Sequence, residues 1–107
     1  MPVQVMAHGF ELTESLKQAC ITETEDKLQP LALHNFSVKW MLSLDASDHV
    51  AHVNWHDGKF HGDATVKSHD MYTSIGRVTK TAGEQLKKAH DKRYEHHKAD
   101  KIIVTEE

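Results

Sequence analysis

Cysteine is almost absent from this 107-residue chain. Cys20 stands alone, so no internal disulfide can form, and a single thiol suits a reducing, cytoplasmic setting. No apolar run approaches the roughly 20 residues that a membrane-spanning helix needs. The N-terminus, Met1-Pro2-Val3-Gln4, has neither the basic region nor the apolar run of a signal peptide. There is no glycine-rich phosphate loop and no tight metal-ligand spacing such as HExxH. Repeats, linkers and low-complexity stretches are missing too, and this length predicts one domain. Nor is there an excess of positive charge. Thirteen Lys and Arg face sixteen Asp and Glu, a formal net charge of −3. Evenly spread, that charge would argue against a nucleic-acid partner.

It is not evenly spread. Residues 76–98 carry seven Lys/Arg against three Asp/Glu, whereas residues 1–75 carry five against ten. Such asymmetry is what an electrostatic footprint for nucleic acid looks like. A solvated helix face is the alternative, because exposed helix positions commonly carry lysine. The basic stretch follows Asp70-Met71-Tyr72-Thr73-Ser74-Ile75. Asp70 is placed to cap a helix, its carboxylate accepting from free N–H groups of the first turn. Met71, Ile75, Val78, Ala82, Leu86 and Ala89 then recur every three or four residues, one stripe at 100° per residue. Arg77, Lys80, Lys87, Lys88 and Lys92 gather on the other side, interrupted by Glu84 and Asp91. These two acids are expected to pair with Lys80, Lys87 or Lys88 at i,i+3 or i,i+4 spacing.

Upstream, Val3, Val5 and Ala7 alternate with polar neighbours, a short strand. Thr13 is a candidate N-cap between Leu12 and Leu16, an apolar pair able to staple the helix entry. The helix that follows is irregular. Leu12, Leu16, Ala19 and Cys20 form one stripe; Ile21, Thr24, Leu28 and Leu31 form another, displaced by about 100°, the phase of one extra residue. A π-bulge or kink is expected between Cys20 and Lys27, and Pro30 ends the helix or lies just past its last turn. Phe36, Val38, Trp40, Leu42 and Leu44 alternate through a second strand. Asp45–Asp48 is a turn, 49–56 a third strand, and Asp57-Gly58 a hairpin turn leading to a fourth at 59–67. That turn would pair Trp55 with Phe60, Val53 with Gly62 and Ala51 with Ala64 on one face, and Asn54 with His61 and His52 with Asp63 on the other. The order is β-α-β-β-β-α. A right-handed crossover lays strand one parallel to strand two, and both helices cover one face of a four-stranded sheet, an α+β fold. Residues 1–98 make the domain and 99–107 a flexible tail.

Chemistry beyond charge is sparse. Cys20 lies in a core stripe, which reads as packing rather than as a nucleophile, and no enzyme activity or cofactor is expected. Tyr72 reads as a half-buried ring with a bonded hydroxyl; stacking on a base is the alternative. Ten histidines are unusual. His52, His56 and His61 share the open face of the hairpin near Asp63. They could hold zinc, though strand positions place ligands only loosely. They could instead make an RNA contact that depends on pH, because imidazole gains charge near pH 6.5. His96-His97 suit the negative end of the last helix.

Several short motifs now add up. Asp70-Met71-Tyr72 with Ile75, then Gln85-Leu86 and Lys88, resembles the bacterial hibernation-promoting factor family. That family is also known as ribosome-associated inhibitor A, ribosomal subunit interface protein or sigma-54 modulation protein. Leu12-Thr13-Glu14 with Leu16, Lys27-Leu28, Val53-Asn54 and Asp91-Lys92 extend the match over about residues 3–98. The resemblance implies a double-stranded-RNA-binding-like fold. Lys17 and Lys27 match basic positions of the family, whereas Glu23 and Glu84 stand where it tends to be basic. The first helix also carries one residue more than the family pattern. Implied partners are the small ribosomal subunit, through its 16S rRNA in the mRNA/tRNA channel, and a ribosome modulation factor on the same ribosome. Off the ribosome the chain would be a monomer, with no membrane partner. The implied role is to block translation under stress or in stationary phase and to promote ribosome pairing. Val53-Asn54 with Gly58 and His61 resembles the short promoting type. The inhibitor-A type, which opposes pairing, and a general duplex-RNA module remain as alternatives.

Overall fold

The computed structural model describes residues 2–91 in full and the backbone of 102–106. Its elements are β1 (Val3–His8), α1 (Glu14–Glu23), a π turn (Thr24–Leu28), a short 3₁₀ turn (Gln29–Leu31), β2 (Phe36–Asp45), β3 (Asp48–Asp57), β4 (Phe60–Ser68), α2 (Met71–His90) and β5 (Ile102–Glu106). The sheet runs in sequence order. β1 pairs parallel with β2, and β3 is antiparallel to both β2 and β4. β2 and β4 therefore run the same way. The crossovers β1-α1-β2 and β4-α2-β5 each step one strand in the same direction, so crossovers of the same hand put both helices on one face. The four-stranded core with two helices on one side is the expected α+β arrangement.

The fifth strand is an addition. The tail is read from sequence as frayed, yet Ile102–Glu106 pairs parallel with β4, Ile102 beside Gly62 and Glu106 beside Val66. Ile102, Ile103, Val104 and Thr105 are β-branched and favour a pleated strand. The free edge of β4 offers them unpaired backbone groups.

Sequence and structure agree closely in the helices. Thr13 Oγ1 accepts from Leu16 N at 3.2 Å, and Asp70 Oδ2 from Thr73 N at 2.9 Å, so both caps form. On α2, Met71, Ile75, Val78, Ala82 and Leu86 are buried and Ala89 is half-buried. Burying each of the four larger side chains is worth about 1.5–3 kcal/mol, against about 1 kcal/mol for the cap. Packing, not capping, holds this helix. The phase slip in the first helix is absorbed where expected, by the π turn at Thr24–Leu28. It carries Thr24 and Leu28, both fully buried, onto the sheet side. There Thr24 Oγ1 donates to Cys20 O (2.8 Å) and accepts from the Trp40 indole N–H (3.0 Å). The second indole is served from α2: Trp55 Nε1 donates to Gln85 Oε1 (2.7 Å), and Gln85 Nε2 donates to Asp63 O (2.7 Å).

The hairpin turns one residue later than expected. Gly58 and Lys59 form the loop, Asp57 pairs with Phe60, and His56 with His61. Gly58 has φ +65°, the sign that a glycine at the first position of a two-residue II′ turn supplies. Moving the loop by one residue moves the pairing by two. Trp55 therefore faces Gly62 rather than Phe60, His52 faces Thr65, and every side chain keeps its face. Gly62 is required there, because a Cβ would lie 2.8 Å from the Trp55 ring.

Asp57 drives the shift. It is not a turn residue but is fully buried, and its carboxylate collects three donors. Leu33 N (2.9 Å) and His90 Nε2 (2.5 Å) reach Oδ2, and His34 N (2.7 Å) reaches Oδ1. Burial alone would raise its pKa. The two backbone hydrogen bonds, with the hydrogen bond and charge of His90, outweigh burial and hold the carboxyl below its ordinary value. A carboxyl depressed on folding stabilises the fold above the unfolded value of about 3.9 and loses that contribution as pH falls through the folded value.

Two outcomes follow. Asp57→Asn should lower unfolding free energy by about 2–4 kcal/mol at neutral pH. In urea titrations the gap between wild type and variant should narrow as pH drops below about 4. Gly62→Ala should cost about 1–3 kcal/mol through overpacking against Trp55, read as a lower thermal midpoint.

Candidate nucleic-acid interface

α2 is fixed at its start by more than its cap. Ser74, fully buried, donates from Oγ to the carbonyl of His49 on β3 at 2.6 Å, and its oxygen lies 2.6 Å from Ser68 Oγ at the end of β4. With the Asp57–His90 pair at the far end, the helix is tied to the sheet at both ends, so its outer surface has a defined position.

That surface carries Arg77, Lys80, Lys87 and Lys88, all exposed. Lys17 and Lys27, on α1 and the π turn, are exposed on the same helical layer. Lys92 lies outside the described residues, as do His96 and His97. Among the described residues, Lys17, Arg77, Lys80, Lys87 and Lys88 form no side-chain ion pair; the lysine pairs are Lys27 with Glu23 (3.4 Å) and Lys67 with Asp45 (3.5 Å). The expected pairing of Glu84 with neighbouring lysines does not form among these residues. An exposed i,i+4 pair gains only about 0.3–0.5 kcal/mol, too little to order two long side chains. Glu23 behaves differently. Held at the α1–α2 junction, it sets a negative charge beside Lys27, 3.4 Å from its ammonium though without hydrogen-bond geometry. Lys27 is thus the most compensated of the candidate cations.

Two further features lie at the margins of this face. One is a groove of about 430 Å³ at the start of α2, lined by Lys67, His69 and Arg77 with Asp48, Ser68, Asp70 and Thr73. Lys67 reaches it from the open face of the sheet, at the end of a strand that lies in the acidic part of the chain. The other is Tyr72, which is 50% exposed at the edge of a second groove formed with Gln18, Ala19, Thr22, Glu23, Ile75 and Gly76. Its hydroxyl makes no hydrogen bond among the described residues, contrary to the expected bonded ring. The exposed aromatic surface has the form that stacks on a base.

The remaining chemical candidates resolve into structure. Burial, with a smaller push from Glu23, raises the Cys20 thiol to about 12, so it is protonated at neutral pH and no nucleophile. On the open sheet face His52 Nδ1 lies 2.7 Å from Thr65 Oγ1, and Asn54 Nδ2 donates to Asp63 Oδ1 at 2.5 Å. Among the described residues no three His, Cys, Asp or Glu side chains converge as metal ligands.

Comparison with known proteins gives a consistent frame. Residues 3–94 match the family model described as Sigma 54 modulation protein / S30EA ribosomal protein. No curated protein sequence matches the chain. The fold is similar to the N-terminal domain of Protein Y from Thermus thermophilus, with a TM-score of 0.75 at 17% identity, covering 81% of this chain and 97% of that one. It is also similar to a ribosomal subunit interface protein from Coxiella burnetii, with a TM-score of 0.71 at 13% identity, covering 90% and 99%.

Because the α2 cations support no packing, Lys87→Ala and Lys88→Ala should each shift unfolding free energy by less than about 0.5 kcal/mol. Chemical denaturation of the two variants checks this.

Proposed function

Since the chain belongs to the Sigma 54 modulation protein / S30EA ribosomal protein family, we propose that it is a ribosome-docking regulator of translation, cytosolic and non-enzymatic. It binds the small ribosomal subunit through 16S rRNA, fills the mRNA/tRNA channel, and holds idle ribosomes out of translation. The observation that carries this reading is the set of exposed cations on α2 that form no ion pair among the described residues: Arg77, Lys80, Lys87 and Lys88. Lysine and arginine displayed without internal partners neutralise phosphates and release counterions, which gives strong, salt-dependent affinity. Phosphate contacts position a protein without reading sequence. Selectivity then comes from the shape of the site, and a rigid sheet with two anchored helices suits recognition by shape. The similar fold of a protein named for the ribosomal subunit interface supports the same partner.

Mechanism is occupancy. The domain needs no bond-making step; it needs only to sit where tRNA and mRNA would pass. On the promoting reading, carried by Val53-Asn54, Gly58 and His61, it acts beside a ribosome modulation factor to raise the fraction of paired ribosomes.

Sucrose-gradient co-sedimentation with purified bacterial ribosomes tests this. The protein should travel with small subunits and whole ribosomes at low salt and wash off as salt rises. Lys87→Glu combined with Lys88→Glu should weaken binding by roughly tenfold or more with an unchanged thermal midpoint. Protein left at the top of the gradient at every salt concentration would overturn the ribosome reading. Undiminished binding by the double variant would remove α2 as the contact. Adding modulation factor should increase ribosome pairs, and a decrease would assign the inhibitor-A role instead.

A further inference from the structure

Both helices cover one face of the sheet, so the other face of β1–β4 is open. Its side chains form a grid fixed by the register. Ser37, His56 and His61 make one row; Gln4, Lys39, Asn54 and Asp63 the next. Met6, Met41, His52 and Thr65 make a third, and His8, Ser43, Val50 and Lys67 a fourth. Asp45 and Asp48 close the end. Four imidazoles therefore share a surface with two lysines and three aspartates. With neutral imidazoles the face carries two positive and three negative charges, a net of −1. With four imidazolium ions it carries six against three, a net of +3. The sign of the whole surface inverts.

We propose that this open sheet face is a second RNA-phosphate-binding surface, engaged when its histidines are protonated. The proposal rests on the ribosome reading above, which supplies the RNA. Three observations favour phosphate as the occupant. His56 and His61 are both exposed and directly opposed, with ring centroids 5.6 Å apart. Two like charges directly opposed across strands destabilise the pair, and an anion seated between them removes that cost. Two of the three acidic groups on the face are already engaged. Asp63 accepts from Asn54 at 2.5 Å and stands 3.6 Å from His52, while Asp45 stands 3.5 Å from Lys67. Lys39, on the strand beside His52 and His56, is exposed with no ion pair among the described residues. From the remaining neighbour, β5 brings Ile103 and Thr105 into register with Asp63 and Thr65, neither of them charged. Finally, imidazole is the side chain whose charge ordinarily changes between pH 5 and 8. The face thus carries a net negative charge with its imidazoles neutral and attracts a phosphate backbone with them protonated.

The experiment measures affinity for purified small ribosomal subunits at pH 7.5 and 6.0, over a range of salt, for three proteins. These are the wild type, the His52→Gln/His56→Gln/His61→Gln variant, and the Lys87→Glu/Lys88→Glu variant. The wild type should bind about fivefold or more tightly at pH 6.0, with a steeper salt dependence. The histidine variant should bind like wild type at pH 7.5 and lose most of the gain at pH 6.0. A full gain retained by the histidine variant, and retained again when His8→Gln is added to it, overturns the proposal, because histidines off this face would then carry it. If the triple variant fails to fold by thermal denaturation, His56→Gln/His61→Gln is used under the same criterion. No binding by wild type at either pH would sink the ribosome reading itself, an outcome distinct from a missing pH effect.

Discussion

Two indole N–H groups, buried where no water can reach them, set the terms for this fold. An indole donor left without a partner in the core costs about 1–3 kcal/mol, and a domain of this size has few kilocalories to spare. Trp40 and Trp55 are diagonal neighbours on the sheet's inner face, Trp40 opposite Val53 and Trp55 opposite Val38 on the paired strands β2 and β3. Each donor is met from above by a different helical segment, Thr24 from the π turn and Gln85 from α2. Hydrophobic burial presses both segments down, but it is non-directional. The two hydrogen bonds fix where along its axis each one sits. Thr24 and Gln85 spend their second hydrogen bond on a backbone carbonyl, Cys20 and Asp63 respectively, so neither oversupplies a polar atom to the core.

The same logic explains what sequence could and could not reveal. Periodicity is a local signal, and the local features were legible: the α2 stripe from Met71 to Leu86, both N-caps, the parity of β1 to β4, and the phase slip that became a π turn. Asp57 was not. Beside Gly58 it has the appearance of a turn residue, and its partners lie 24, 23 and 33 residues away at Leu33, His34 and His90. No window along the chain contains them. The hairpin register followed the same error, displaced by two because a buried Asp57 must remain within its strand. β5 was missed for a related reason, since a short apolar segment becomes a strand only when an edge is available to pair it. On the basic face, composition and helical spacing brought out Arg77, Lys80, Lys87 and Lys88. Lys67, which meets Arg77 in one groove, belongs to a strand and could be joined to them only through the fold.

The molecule thus divides its electrostatics by layer rather than by segment. The helical side displays permanent cations, of which Arg77, Lys80, Lys87 and Lys88 form no ion pair among the described residues. The sheet side carries a near-balanced mixture in which imidazole is the deciding member. The sheet's backbone lies between the two sets of side chains, which meet at its edge where Lys67 and Asp48 share a groove with Arg77.

The strand directions have a mechanical meaning as well. Only β3 runs against the other four, so the chain enters at one end of the sheet through β1 and leaves at the opposite end and opposite edge through β5. Force applied between Pro2 and Glu106 along the strands pulls the two edge strands in opposite senses, past their neighbours. Sliding one strand along another loads its row of interstrand hydrogen bonds together, whereas peeling opens them one at a time. The domain resists such tension through whole ladders at once, in a fold whose individual ties are modest.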